Sequence, residues 1–141
     1  MERAYFQERR ARFFRETILT LLLDTQIIVW FAHGDPKLPA RVRDRIVTSG
    51  EAICVSVVSG WEYGIKRAKH PAELPEPFER LLMADYRRLA LSFALHSFAE
   101  ELPPIHRDPF DRMLVAQALT LDLTLITADR IVHRYPVPTF W

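Results

Sequence analysis

The chain has 141 residues, of which 49% are hydrophobic and 26% are charged, a length and composition that suit one folded domain and exclude global disorder. Nineteen Lys and Arg residues against 18 Asp and Glu residues leave a net charge of +1, so the overall charge neither favours nor excludes a nucleic-acid partner. The single cysteine, Cys54, excludes an internal disulfide framework and, because it lies in an apolar run, predicts a buried thiol.

Residues 1–19 differ in character from the rest of the chain, and we treat them as an N-terminal extension of unknown role, with the domain predicted over residues 20–141. The extension mixes arginines with glutamates and carries two adjacent aromatic pairs that begin at Tyr5 and Phe13. This pattern is compatible with a basic amphipathic helix. It is equally compatible with an appendage outside the fold.

Several classes of protein are disfavoured by what the sequence contains. The four glycines form no phosphate-binding loop, and the five histidines have no metal-ligand spacing, so we expect neither a P-loop or Rossmann nucleotide site nor a zinc site. The apolar stretch over 18–32 is interrupted by Asp24 and is shorter than the ~20 residues that cross a bilayer. We therefore expect a cytoplasmic protein without a membrane partner.

Apolar runs alternate with helical patterns along the predicted domain. Strands are predicted over 21–24, 52–56, 89–91 and 123–127, with an edge strand over 137–141. Helices are predicted over 27–32, 40–48, 59–68, 75–85, 95–102 and 108–121, with a short helical turn over 128–133. The strands are continuous apolar runs, which is typical of parallel strands covered on both faces. The order of elements therefore predicts an α/β domain with a parallel sheet.

Acidic residues stand where the predicted strands lead into helices. Asp24 ends the first strand, Glu62 lies in the first turn of the helix after the second strand, and Asp129 follows the fourth strand. Asp108 and Asp111 open the longest predicted helix. Because sites in open α/β sheets form outside the carboxyl ends of the strands, we expect these acids to converge in one groove.

Each acid also has a purely structural explanation. Glu62 could complete a capping box with Ser59 or pair with Lys66, Asp108 could cap its helix, and the other acids could complement helix dipoles. Asp24 is harder to explain in this way, because a charge at the end of a buried strand is costly unless it is paired. No Lys, Arg or His lies within eight positions of it.

Converging carboxylates repel one another, and a hard divalent cation relieves that repulsion. Mg²⁺ accepts carboxylate oxygens, keeps several waters and can bridge a substrate phosphate, and such ions assist in-line phosphoryl displacement. Basic residues beside the acidic motifs favour a polyanionic substrate, although an ordinary solvated surface would have the same composition. These residues are Lys66, Arg67, Lys69, His70, His106, Arg107, Arg112, Arg130, His133 and Arg134. The pattern favours metal-dependent hydrolysis of a phosphate ester or phosphodiester, with nucleic acid as the preferred substrate.

Four segments, taken in order, resemble the motifs of PIN-domain ribonucleases of the VapC toxin type. They are LLLDT at 21–25 followed by IVW at 28–30, SVVSGWE at 56–62 followed by IK at 65–66, HRDPFDRMLVAQA at 106–118, and LITAD at 125–129. The resemblance covers approximately residues 20–141. It implies a three-layer α/β/α sandwich around a central, mostly parallel sheet of four to five strands.

The resemblance also implies a Mg²⁺- or Mn²⁺-dependent endoribonuclease, the toxin of a type II toxin-antitoxin system. Its partners would be RNA, a cognate antitoxin and a second copy of the chain, in homodimers and toxin-antitoxin hetero-oligomers. The implied catalytic and metal-binding set is Asp24, Glu62, Asp111 and Asp129, with Asp24 and Asp111 as the principal ligands. We prefer Asp111 to the alternative, Asp108, because Asp111 lies inside the first helical turn and Asp108 is placed to cap it.

Lys66, Arg112 and Arg130 are the candidate contacts to RNA, since each lies beside an acidic motif. Two other functions stay open. One is a catalytically idle PIN-like module retained for binding a partner. The other is a receiver-like switch phosphorylated on Asp, which also gathers acids and Mg²⁺ at strand ends. A switch of that kind needs a lysine at a late strand end, and the residues at 126–128 offer none, which disfavours it.

Overall fold

The structure, a computed structural model, describes residues 20–141. The predicted extension over residues 1–19 lies outside the described residues. Among residues 20–141, no helix combines the length and the apolar character needed to cross a lipid bilayer.

A five-stranded, wholly parallel sheet forms the centre of the fold. The strands are β1 (Thr20–Leu23), β2 (Ala52–Ser56), β3 (Arg87–Leu89), β4 (Thr124–Ile126) and β5 (Thr139–Phe140), and their spatial order is β3-β2-β1-β4-β5. The central strand β1 pairs with β2 and β4, so that Leu22 lies level with Cys54 on one side and Leu125 on the other. All five strands run in the same direction, so their carboxyl ends meet at one edge.

Helices cover both faces of this sheet. They are α1 (Thr25–His33), α2 (Ala40–Thr48), α3 (Val57–Lys69), α4 (Leu95–Glu101) and α5 (Pro109–Leu121). Two single 3₁₀ turns, Phe78–Leu81 and Val132–Arg134, complete the regular elements of the described chain.

Successive residues of β1 divide the core into two halves. Leu21 and Leu23 pack in one apolar cluster with Ile27 of α1 and Val42 of α2. Leu22 belongs to a second cluster. That cluster also contains residues of β2, β4 and α5, namely Cys54, Leu125, Leu114, Val115 and Ala118. Because adjacent side chains of a strand point to opposite faces, a strand covered on both sides must be apolar throughout. The predicted three-layer α/β/α sandwich is confirmed.

Most predicted elements are confirmed, and the helix predicted over 75–85 is wrong. Only Phe78–Leu81 forms a 3₁₀ turn there, between Pro77 and Leu82, which both have extended backbone. The turn packs closely against α3, since a Cβ at Gly60 would lie 3.1 Å from the Phe78 ring. The segment over 128–133 is likewise irregular, with its 3₁₀ turn at Val132–Arg134. Apolar residues at helical spacing predict a helix over 75–85 and a short helical turn over 128–133, but each segment contains a single 3₁₀ turn.

The thiol of Cys54 is buried in β2, as predicted. Burial raises its pKa to about 11, against a smaller lowering effect of Arg87. A thiol with such a pKa is protonated at neutral pH, and only the thiolate is a good nucleophile.

Candidate functional site

Asp24 stands at the carboxyl end of the central strand and begins helix α1. Its carboxylate caps the helix by accepting a hydrogen bond of 2.9 Å from the backbone N–H of Ile27, and the side chain is only 9% exposed. Burial raises the pKa of Asp24 to about 6, although hydrogen bonds from Thr127 and Ile27 oppose the shift. The negative charges of Glu62 and Asp129 raise it further, which places both acids near Asp24.

Glu62 projects from helix α3, which follows the neighbouring strand β2. The helix begins at Val57 and is capped by Ser56, whose Oγ accepts the N–H of Val58 at 3.1 Å. The alternative of a capping box between Ser59 and Glu62 is therefore wrong, because Ser59 lies inside the helix, fully buried. The Glu62 side chain is 12% exposed, and its Oε2 lies 3.6 Å from Nζ of Lys66.

Asp108 and Asp111 divide two tasks at the start of α5. Asp108 caps the helix, since its Oδ1 accepts the N–H groups of Phe110 at 2.8 Å and Asp111 at 3.3 Å. Asp111 has no such role and lies beside the other acids. Burial raises the pKa of Asp111 to about 7, and the charges of Asp108, Glu62 and Asp24 add to that effect while His106 opposes it.

Asp129 and His106 complete the cluster. The imidazole Nε2 of His106 lies 2.8 Å from Oδ2 of Asp129 and 3.0 Å from Oδ2 of Asp111. One potential ligand atom from each of these three residues lies within 4.8 Å of the others, so they could hold a metal ion. Partial burial opposes ionisation of Asp129, but hydrogen bonds from His106 and the backbone of Ile131 outweigh it and lower the pKa.

The predicted acids therefore meet at one edge of the sheet. Two further residues, His106 and Thr127, also belong to this site, and the sequence analysis does not predict either of them as part of it. His106 was assigned to the basic rim, whereas its ring faces the acids. Thr127 was not singled out; its buried hydroxyl interacts with Asp24 and accepts the N–H of Asp129 at 3.1 Å. Thr127 could have been found from the sequence, because it is a polar residue at the end of an apolar strand, as Asp24 is.

The three candidate RNA contacts occupy different surroundings. Lys66 is half exposed and faces Glu62, and Arg130 is exposed. The guanidinium of Arg112 donates to the backbone carbonyls of Pro103, Leu102 and Ala99 at the end of α4 and to the hydroxyl of Tyr135. Contact of these residues with RNA stays a prediction.

The arrangement suits a hard cation better than a purely structural role. Two carboxyls with raised pKa values, Asp24 and Asp111, lie near two further acids, and each ionisation makes the next one less favourable. A divalent cation relieves that repulsion, and carboxylate oxygens are the ligands that Mg²⁺ and Mn²⁺ prefer.

Comparison with known proteins identifies the fold family. The family model of the PIN domain matches residues 21–138, which is most of the chain and includes all four acidic motifs. The chain belongs to the PIN-domain family. The match begins within β1 and ends just before β5, so it covers β2, β3, β4, most of β1 and the acidic edge of this PIN domain.

Individual relatives agree with this assignment. The PIN domain is 25% identical over 129 residues to Ribonuclease VapC22 of Mycobacterium tuberculosis (strain ATCC 25618 / H37Rv), covering 86% of this chain and 98% of that protein. Its fold is similar to a chain in the crystal structure of VapBC2 from Rickettsia felis bound to a promoter DNA fragment, with a TM-score of 0.65 and 17% identity over 86% of this chain and 98% of that one. A toxin-antitoxin complex from Klebsiella pneumoniae gives a TM-score of 0.59 and 15% identity, covering 86% and 96% of the two chains.

The pKa values of the acids predict how stability depends on pH without metal. Folding raises the pKa of Asp24 from 3.8 to about 6 and that of Asp111 from 3.8 to about 7, so the folded protein holds protons that the unfolded chain has released. The free energy of unfolding should therefore fall as the pH rises from about 4 to about 7. The lowered pKa of Asp129 acts below this window, with the opposite sign.

Urea denaturation in the presence of EDTA at pH 5 and pH 8 measures this dependence. We expect lower stability at pH 8, and we expect Asp111→Asn to reduce the difference by removing one of the two shifted carboxyls. An equal change in the free energy of unfolding between pH 5 and pH 8 for the wild type and Asp111→Asn would contradict the assignment of the pKa shift to Asp111.

Proposed function

We propose that this PIN domain is a Mg²⁺- or Mn²⁺-dependent endoribonuclease and the toxin of a type II toxin-antitoxin system. One observation carries the proposal: Asp24 and Asp111, held by different elements, are both partly or wholly buried at the same sheet edge with raised pKa values. A fold that needed these acids only as helix caps would not require Asp111, since Asp108 already caps α5. The similarity to Ribonuclease VapC22 supports the same activity.

The residues present fit a hard divalent cation. Asp24 and Asp111 would be the principal ligands, with Glu62 and Asp129 completing the site directly or through water. The donor set is carboxylate oxygen, which suits Mg²⁺ or Mn²⁺. The mutual raising of pKa values supports this fit, because such acids gain from a neutralising ion.

A bound cation would supply charge neutralisation at a substrate phosphate and a more acidic water. The chain's own residues would do the remaining work. Asp129, whose lowered pKa keeps it ionised at neutral pH, would accept a hydrogen bond from the attacking water and orient it. Hydrolysis forms one bond from water oxygen to phosphorus and breaks one phosphorus–oxygen ester bond. The proton from water passes to a carboxylate or to solvent, and the leaving ester oxygen takes up a proton from solvent.

The RNA would lie across the acidic edge with its phosphates beside exposed cations. Lys66 and Arg130 are the candidates with solvent-exposed side chains. Arg112 is the weaker candidate, because its guanidinium already contacts the backbone at the end of α4. Exposed Trp61, which packs edge-on against Phe110 at 5.0 Å between ring centroids, adds an aromatic surface on which an unpaired base could stack.

Cleavage of a labelled structured RNA tests the proposed activity. We expect cleavage with Mg²⁺ or Mn²⁺, none with EDTA, and a loss of about 10²-fold or more in Asp24→Asn because electrostatic stabilisation at the phosphate is removed. Asparagine caps helices as well as aspartate does, so the variant should keep its fold.

Asp44→Asn is the matched control, because Asp44 is an exposed acid on α2 and belongs to none of the four motifs. Cleavage by Asp24→Asn at the wild-type rate would contradict the assignment. A wild-type protein that cleaves no RNA with either cation would favour the catalytically idle module instead.

We also propose that the chain acts in the cytoplasm, as a homodimer that a cognate antitoxin binds and inhibits. The similarity of the fold to chains of toxin-antitoxin complexes supports this partner. Three exposed apolar residues spaced four apart on α3, Val57, Trp61 and Ile65, support a protein contact on that face.

Expression in a bacterial host tests the partner. The chain expressed alone should arrest growth, and coexpression with the antitoxin encoded beside it should restore growth and yield a complex containing two copies of this chain. Normal growth with the chain alone, at the same protein level as Asp24→Asn, would contradict a toxin.

A further inference from the structure

His106 occupies the gap between two acids that come from distant parts of the chain. Asp111 lies in the first turn of α5 and Asp129 follows β4, yet the Nε2 atom of His106 is 3.0 Å from one carboxylate and 2.8 Å from the other. The ring is largely buried, with 13% of the side chain exposed. A basic side chain on the rim would point away from the acids, whereas the ring of His106 points toward them.

The other ring nitrogen fixes which proton the imidazole carries. Nδ1 accepts the backbone N–H of Asp108 at 3.1 Å, so it presents a lone pair there. A neutral imidazole with an acceptor at Nδ1 carries its hydrogen on Nε2. His106 is therefore a hydrogen-bond donor toward Asp129, with Asp111 beside the same N–H.

The backbone of His106 is anchored as firmly as its ring. Its N–H donates to the hydroxyl of Tyr135 at 2.8 Å, and the same hydroxyl lies 3.2 Å from a guanidinium nitrogen of Arg112. Tyr135 is buried in the second core cluster. The position of the imidazole is thus set from the core and from the start of α5 together.

A direct bond from Nε2 to a metal is not compatible with these contacts. It would need a lone pair on Nε2, which moves the ring hydrogen to Nδ1 and sets it against the N–H of Asp108. A carboxylate, in contrast, has a second oxygen that can accept a hydrogen bond while the first binds a cation. Groups that donate to metal-binding carboxylates in this way orient the ligands, and their loss typically weakens metal binding about 10- to 100-fold.

We infer that His106 is a positioning residue that orients Asp111 and Asp129 around the divalent cation of this edge and is not itself a ligand. The inference rests on the proposed function, because it assigns the cation to these acids. It differs from a role of His106 in binding RNA, for which the ring would have to face solvent.

Two variants of His106 distinguish the roles of its two ring nitrogens. The Nε2 amide of Gln in His106→Gln reaches approximately as far as the imidazole Nε2 and can donate to the same carboxylates. The shorter His106→Asn can accept the N–H of Asp108 but has no donor near Asp111 and Asp129. His96→Asn is the matched control, because His96 is an exposed histidine on α4.

Binding of Mn²⁺ and of Mg²⁺ to each purified protein should be measured by calorimetry, with circular dichroism as the check on folding. We expect His106→Asn to weaken the binding of both cations by the same factor, about 10- to 100-fold, and His106→Gln to recover most of it. A nitrogen ligand would instead make the loss larger for Mn²⁺ than for Mg²⁺, since imidazole binds Mn²⁺ more readily than Mg²⁺.

Two spectroscopic measurements complete the test. Pulsed electron paramagnetic resonance of the Mn²⁺-bound wild type should show no directly bound imidazole nitrogen, and ¹⁵N nuclear magnetic resonance of the metal-free protein should show the His106 ring protonated at Nε2. A bound nitrogen that disappears in His106→Gln, a ring protonated at Nδ1, or unchanged cation affinity in His106→Asn would each overturn the positioning role alone. A wild type that binds neither cation would overturn it together with the proposed function.

Discussion

The burial of the Asp24 carboxylate at the end of the central strand is the constraint on which the rest of the site depends. Strand β1 is covered on both faces, so the residue that ends it leaves the core with almost no access to water. Two hydrogen bonds partly stabilise its charge, but they do not restore an ordinary pKa. Each further acid at this edge adds repulsion. A positive partner at this edge would relieve the repulsion among them.

The parallel sheet explains why the acids meet although they are far apart in sequence. All strands end at the same edge, and α3 and α5 begin there. Asp111 lies in the first turn of α5, whereas Glu62 lies in the second turn of α3 and not in the first turn as predicted. Motifs that are far apart along the chain therefore bring their carboxylates to one edge of the sheet. At the start of α5, helix capping and the acidic cluster use two different residues, Asp108 and Asp111, whereas Asp24 both caps α1 and belongs to the cluster.

Much of this could be predicted because it depends on local rules. A continuous apolar run predicts a buried strand, and Asp-Pro at 108–109 predicts the start of α5. The N-cap of α3 is harder to predict, because Ser56 and Ser59 are both suitable caps. Only the position at which β2 ends decides between them. The segment over 75–85 has helical spacing, yet its chain is held extended around a single 3₁₀ turn.

The role of His106 could not be predicted, because it depends on contacts between residues more than 20 positions apart. The ring direction follows from Asp129 and the backbone from Tyr135, and neither contact leaves a periodic pattern near residue 106. In the sequence, His106 looks like part of a basic run. In the fold, its ring lies against the carboxylates of Asp111 and Asp129, which the basic residues were expected only to surround.

We propose that the acidic edge holds a divalent cation between Asp24 and Asp111. Crystals grown with Mn²⁺ and measured at the manganese absorption edge would locate the ion by its anomalous signal. We expect a peak at coordinating distance, about 2.0 to 2.2 Å, from carboxylate oxygens of both residues, with Asp108 still capping α5. A peak bound to Asp108 without Asp24, or no peak at this edge in crystals that bind Mn²⁺ elsewhere, would contradict it.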